Sequence, residues 1–329
     1  MVKIYDRWSN ELSTAEFFGR KSQSAFGQMM NGVAMRTRFC LDEFELDSPE
    51  LGRLQDSSPI VGDPEALRER LRVQGYLYMK GFFDREAVLG AREVILKHMA
   101  EHEGLEPGSR PLDGVMGRYG KSVGMLGRRA ITHHPAVKAV LEAPGLFDFY
   151  RGLFEESAST FDFKWLRAIG VEEATGCHMD HVYMGRASQR VMTCWVSFGD
   201  IPVEQGTLVV CEGSHRGERF AKLRDTYGRM DVDRDGIEGW FTMHPREVTG
   251  AFGGRWLTDD VEAGDFITFG MHLMHASTTN TTDRWRISCD VRFQPSADSM
   301  DERWLGEEPP GHSVKQHTSM KQARAAWGV

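Results

Sequence analysis

The chain has 329 residues, 40% of them hydrophobic, and its 40 Lys and Arg against 48 Asp and Glu give a formal net charge of −8. That composition excludes a disordered segment and a disulfide-stapled miniprotein, and the acidity argues against a nucleic-acid partner. The five cysteines (Cys40, Cys177, Cys194, Cys211, Cys289) form no CxxC pair, and neither a secretory leader nor a membrane span is read, so a reduced, cytoplasmic protein with no membrane partner is expected.

Residues 1–60 alternate polar clusters with short apolar runs such as Phe39-Cys40-Leu41-Asp42-Glu43-Phe44, and read as an N-terminal extension without an assigned role. Loop punctuation follows at Ser57-Ser58-Pro59 and Gly62-Asp63-Pro64. Asp63 suits a helix N-cap with Pro64 at the first helical position. Tyr76–Met79 reads as a strand. A second helix is expected from Asp84, with Ala87, Val88, Ala91, Val94 and Ile95 along one stripe.

Beyond about residue 160 the texture turns to short β-rich runs, at 161–169, 191–198, 207–211, 265–269 and 285–293, separated by glycine-containing loops. Such a series predicts a mainly β fold with a helical flank, a double-sheet jelly roll filling one domain over 61–329. The tail through Ser319, Met320, Ala323 and Trp327 reads as a helix that packs back.

The chemistry concentrates in Gly176-Cys177-His178-Met179-Asp180-His181-Val182-Tyr183. In an extended segment His178 and Asp180 share a face and His181 takes the opposite one. An imidazole and a carboxylate side by side can take two positions on a divalent metal. One further histidine completes the 2-His-1-carboxylate set that suits non-haem Fe(II). His272 and His275 are both available but differ in parity. His275 is favoured, because Ser277 lies two residues on and Arg286 falls in the next run, and a hydroxyl with a guanidinium fork suits a carboxylate.

His178-Met179-Asp180 followed by His275, Ser277, Asn280 and Arg286 resembles the pattern of the phytanoyl-CoA dioxygenase family. Gly206-Thr207-Leu208, followed by Gly213-Ser214-His215-Arg216, is similar to the family stretch between the two ligand strands, with Glu212 standing where proline is common. The resemblance runs from about residue 64 to 295. It implies a double-stranded β-helix of cupin type and an oxidoreductase that uses Fe(II), 2-oxoglutarate and O2 on a small molecule. It further implies iron on His178, Asp180 and His275, and the co-substrate on Arg286 and Ser277 with Trp195 beside it. The retained carboxylate of Asp180 favours hydroxylation over halogenation. Desaturation, cyclisation, epimerisation and a non-catalytic jelly-roll binding protein are the alternatives.

Tyr183, His181 and the 118–129 loop are the places to expect substrate. His215 reads as a loop brace and Arg284 as solvated. Asp231-Val232-Asp233-Arg234-Asp235-Gly236 imitates half an EF-hand loop but lacks the closing glutamate, so an acidic surface turn is expected. His98 and His102 read as an exposed helix end, with no third ligand in the HExxH arrangement.

Overall fold

Asp63 accepts a hydrogen bond from the Ala66 backbone N–H at 3.0 Å and Pro64 opens helix α1, Pro64–Gln74, as the capping pattern requires. A computed structural model describes residues 35–117, 129–313 and 315–329. α1 stops at Gly75, which takes the left-handed φ of 87°. A β-carbon there would also collide with the ring of His215, whose Nε2 lies 3.1 Å from the Arg72 carbonyl. His215 therefore does brace a loop, against the end of α1. Asp84 caps helix α2, Arg85–Glu101, in the same way, and α3 (Pro135–Leu141) and α4 (Pro144–Phe154) follow.

Two sheets carry the fold. Strands β1 (Arg36–Phe39) and β2 (Asp42–Glu45) pair with each other as a separate ladder, and β3 (Leu51–Arg53) and β4 (Tyr76–Met79) come next in the chain. They are followed by β5 (Ala158–Thr160), β6 (Trp165–Ile169), β7 (Met192–Ser197) and β8 (Leu208–Cys211). The last four are β9 (Trp256–Thr258), β10 (Phe266–Gly270), β11 (His275–Ser277) and β12 (Arg286–Pro295). The larger sheet runs β4-β10-β7-β12-β5, with β6 also pairing along β12; the smaller runs β11-β8-β9-β3. This is the mainly β jelly roll with a helical flank.

Strand alternation sorts the side chains into three layers. Tyr76, Tyr78, Trp195, Ile267 and Phe269 from the larger sheet pack with Leu208, Val210 and Leu257 from the smaller, filling part of the space between them. The opposite parity of the larger sheet, including Leu77, Cys194, Val196, Ile287, Cys289 and Val291, packs with Val88 and Ile95 of α2 and Leu146 and Tyr150 of α4. The outward set of the smaller sheet, Val209, Cys211, Trp256 and Ala276, is covered by Phe39 and Phe44.

Residues 36–60, placed by sequence in an unassigned extension, contain three strands because Phe39, Phe44 and Leu51 supply that cover. β3 pairs in parallel with β9. Of the expected 161–169 strand only β6 (Trp165–Ile169) forms, with β5 lying just ahead of the expected run, and between the two Lys164 turns inward to donate to the Phe161 carbonyl and the Thr160 hydroxyl. Helices α3 and α4 have no counterpart among the expected elements. The C-terminal helix, Met320–Trp327, forms with a capping box at Ser319 and buries Met320 and Ala323. No helix among the described residues is long and apolar enough to cross a membrane.

Candidate active site

β12 alternates like any sheet strand, but one of its parities is polar. Arg286, Ser288, Asp290 and Arg292 face between the sheets, while Ile287, Cys289, Val291 and Phe293 face the helices. All four polar residues are buried. Burying that row in place of aliphatic side chains costs free energy unless each charge finds a partner, so it marks the functional end of the sandwich.

His178 and His275 meet there. They form an isolated antiparallel bridge, each backbone N–H donating to the other's carbonyl at 2.9 Å. Their ring centroids lie 4.1 Å apart. His178 Nδ1 is 2.7 Å from the Gly176 carbonyl and His275 Nδ1 is 2.9 Å from the Leu273 carbonyl. A carbonyl can only accept, so each Nδ1 carries a hydrogen, and in the neutral ring this tautomer leaves the lone pair on Nε2. Those Nε2 atoms converge on one oxygen, Asp180 Oδ1, at 3.7 and 3.8 Å. The other oxygen, Oδ2, accepts from the Thr193 hydroxyl and from Arg292 Nη2 at 3.2 Å.

The electrostatics fit a cation. Burial pushes His178 down to about 3, helped by the neighbouring His275, so its imidazole is neutral at physiological pH. Burial opposes ionisation of Asp180, but the Arg292 guanidinium and the hydrogen bond from Thr193 more than offset it and hold the carboxyl below its usual range. Two imidazole lone pairs and one fixed carboxylate oxygen within ligand reach of a common point are a donor set for a divalent metal with open positions. The outer hydrogen bonds to both Nδ1 atoms and to Oδ2 orient that set. The residues present therefore fit Fe(II).

A second described group, His98, Glu101 and His102 at the end of α2, could also meet a metal. Glu101 is the ligand type that sequence reading did not find there. Its surroundings are exposed helix end.

A narrow cleft beside the triad is lined by Trp195, Ser277, Arg286 and Asp290 among others. Arg286 is 1% exposed. Its Nη1 donates to the Ser288 hydroxyl and its Nε has no partner. Burial, with Arg167 nearby, pushes its guanidinium down to about 9. An incoming carboxylate would relieve both. Ser277 Oγ accepts from the Thr175 N–H at 2.8 Å, which leaves its hydrogen free to donate. The Arg286 guanidinium carbon stands 5.9 Å from the Trp195 ring centroid. The donors of Arg286 and Ser277 are of the type that would hold a carboxylate of 2-oxoglutarate.

A chamber of about 200 Å³ lies against His178 and Asp180, walled by Trp165, Tyr183 and Trp304, and it shares Arg167, Thr175 and His178 with the cleft. Tyr183, one of the residues expected to meet substrate, lines this chamber. His181 does not: helix α5, His181–Met184, starts at that residue and turns its ring onto His272 at 4.5 Å and onto Gln189. The extended segment ends at Asp180, which is why parity arguments fail one residue later. Asn280 bonds the Ile169 and Arg284 carbonyls and serves as a turn brace. Arg284 is exposed, with Nη1 on the Asp113 carbonyl.

Residues 118–128 of the expected substrate loop lie outside the described residues. The EF-hand imitation is not the exposed acidic turn expected of it. Asp231 and Asp233 are buried, paired with Arg186 and Arg303, because Asp231 caps a short helix over the core. Thr193 and Arg292 escaped the sequence reading. Their signal was strand parity, since Thr193 matches Trp195 and Arg292 matches Arg286.

Comparison with known proteins adds a common theme. A family model described as phytanoyl-CoA dioxygenase matches residues 71–288. The 1-deoxypentalenic acid 11-beta-hydroxylase of Streptomyces arenae is 25% identical over 257 residues, 74% of this chain and 85% of that protein. Among solved structures, the non-heme alpha ketoglutarate dependent epimerase SnoN from nogalamycin biosynthesis superposes with a TM-score of 0.51 at 16% identity, covering 78% of this chain and 96% of its own. EctD from S. alaskensis gives a TM-score of 0.52 at 17% identity, with 87% and 96% covered. These structural likenesses establish the fold.

Proposed function

The chain belongs to the phytanoyl-CoA dioxygenase family of Fe(II)/2-oxoglutarate-dependent oxygenases, and we propose that it hydroxylates a small organic metabolite, with His178, Asp180 and His275 as the iron ligands. The carrying observation is the convergence of two Nε2 lone pairs on Asp180 Oδ1 while every other polar atom of the triad is already engaged. When bound, Fe(II) with 2-oxoglutarate and O2 supplies an oxidant able to break a C–H bond, and succinate and CO2 leave.

The chain's own share is placement. Arg286 and Ser277 anchor the far carboxylate of 2-oxoglutarate, and the buried Trp195 closes the cleft against water. Thr193 and Arg292 hold Asp180 so that one oxygen alone faces the metal. Tyr183 and Trp165 wall the space where the substrate C–H is presented. The hydroxylase relative supports hydroxylation, while the fold shared with an epimerase keeps epimerisation, cyclisation and desaturation as the second reading of the same machinery. A non-catalytic binding protein would gain nothing from a buried triad beside a buried, unsatisfied guanidinium.

The test is turnover. Iron-loaded protein is incubated with 2-oxoglutarate, O2 and a small-metabolite extract, and succinate is measured together with the mass of any product. Succinate formation coupled to a gain of one oxygen supports hydroxylation. Coupled succinate with a product of unchanged mass, or lighter by two hydrogens, moves the outcome to the second reading. No succinate, coupled or uncoupled, together with no 2-oxoglutarate binding, overturns the enzyme assignment.

A further inference from the structure

Arg292 is more than the metal site needs. Its side chain is 4% exposed, and its contact with Asp180 uses Nη2 alone. Its guanidinium lies 4.2 Å from the Trp165 ring centroid. Nε and Nη1 have no hydrogen-bond partner, although Nη1 stands at ion-pair distance, 3.5 Å, from Asp290 Oδ2. Arg292 lines the outer chamber but not the co-substrate cleft. Arg167, on the adjacent strand, lines both. It commits only Nε, to Asp290 Oδ2 at 3.1 Å, and makes no other side-chain hydrogen bond among the described residues.

Charge counting sharpens this. Three guanidinium groups line the two spaces, Arg167, Arg286 and Arg292, against two carboxylates, Asp180 and Asp290. A divalent iron and the dianion of 2-oxoglutarate cancel each other. The loaded site thus keeps one positive charge in excess, and Arg286 is already taken by the co-substrate. A buried guanidinium with unmet donors is costly, and a neutral substrate in the chamber would leave it so. A carboxylate would meet Arg292 in the planar geometry that a guanidinium fork matches. The walls around it are Trp165, Tyr183, Met184 and Trp304, apolar surfaces for a compact carbon skeleton.

We propose that the substrate is a small carboxylic acid, bound as its monoanion, with the carboxylate on Arg292 and assisted by Arg167, and with its apolar body against Trp165, Tyr183 and Trp304. This rests on reading the site as an Fe(II)/2-oxoglutarate oxygenase. Arg292 would then be a specificity-determining residue as well as a support for Asp180.

The experiment uses the full chain loaded with Zn(II), which cannot turn over, and saturated with 2-oxoglutarate so that probes cannot occupy the co-substrate cleft. Matched pairs are titrated by tryptophan fluorescence and calorimetry: cyclohexanecarboxylate with its primary amide, phenylacetate with phenylacetamide, and indole-3-acetate with indole-3-acetamide. At least one acid is expected to bind about tenfold or more tightly than its amide. In Arg292→Met that ratio falls to about one while the amide affinity stays within about threefold, and Arg292→Lys retains part of the ratio. If Arg292→Met fails to fold, Arg167→Met provides the second reading, with a smaller loss of preference expected. Acids and amides that bind alike, a panel that does not bind at all, or a preference that survives Arg292→Met overturns the proposal. Failure of 2-oxoglutarate itself to bind, measured first in the same cell, strikes instead at the oxygenase site on which the proposal rests.

Discussion

His178 and His275 are a hydrogen-bonded pair across an antiparallel bridge, and each ring returns its Nδ1 to a carbonyl two residues earlier in its own chain. This near-symmetry makes the metal site a property of the backbone. The bridge sets the separation of the two rings, and the carbonyls of Gly176 and Leu273 set their tautomer and rotation. Asp180 enters from two residues past His178, the same-face position in an extended segment.

This bridge favours His275 over His272 as the proposed metal ligand. His275→Ala removes a ligand, and metal affinity is expected to fall by well over the roughly 10–100-fold seen for outer-sphere changes. His272→Ala removes a ring stacked on His181, and metal affinity stays within a few-fold of wild type. Competition titration with a chelating indicator checks both. Equal losses in the two variants would contradict the assignment.

Thr193, on β7 of the larger sheet, holds Asp180 Oδ2. Thr193→Val keeps shape and burial but deletes the donor, so Fe(II) affinity drops about tenfold. A thermal midpoint measured without metal should fall by a few degrees at most. Unchanged affinity would reduce Thr193 to a packing residue.

Arg286 carries an unpartnered Nε in a fully buried setting. Arg286→Lys preserves charge and loses the fork, which is expected to cost about 2 kcal/mol of 2-oxoglutarate binding, a roughly thirty-fold rise in its half-saturating concentration. Ser277→Ala should raise it by less, about three- to ten-fold, the worth of one hydrogen bond. Saturation curves for 2-oxoglutarate in single-turnover succinate assays separate these effects from metal loss.

The metal-free protein should lose stability as pH falls below about 6.5. Burial holds His178 at about 3 and His272 at about 4, and it lowers His133, His181 and His215 as well. An unfolded chain protonates these groups near 6.5, so below that pH it binds protons that the folded chain refuses. The stability they contribute is present above 6.5 and is lost on acidification, His178 and His272 each contributing a slope that approaches about 1.4 kcal/mol per pH unit. Asp180 and Asp231, both held low by their arginine partners against the opposing effect of burial, add to the loss only below about pH 4. Urea midpoints at pH 7.5, 6 and 5 check this, and a midpoint that does not move would contradict it.

Much of the site was legible because the chemistry follows strand parity. His178 with Asp180 and Ser277 after His275 are same-face pairs, and the structure brings them together with Arg286 and Trp195 in one buried region. The expectation failed where parity ends. His181 starts a helical turn, and no pattern within Met179-Asp180-His181-Val182 announces that change. The buried placement of Asp231 and Asp233 was hidden as well, since it depends on Arg186 and Arg303 arriving from distant segments. β1 to β3 were unreadable for the same reason: Phe39 and Phe44 gain meaning only from Val209 and Trp256 beneath them. Capping, by contrast, is local: Asp63 caps its helix as read, and Asp84 and Ser319 cap the helices that were expected to start at them.

The most direct test of the account is an anaerobic absorbance titration of the purified protein with Fe(II) and then 2-oxoglutarate. Wild type should develop a weak visible charge-transfer band that saturates with one equivalent of iron. His178→Ala and Asp180→Ala should develop none, and Arg286→Lys should reach the same band only at higher 2-oxoglutarate. A band that persists undiminished in His178→Ala and Asp180→Ala would contradict the claim that His178, Asp180 and His275 hold the iron.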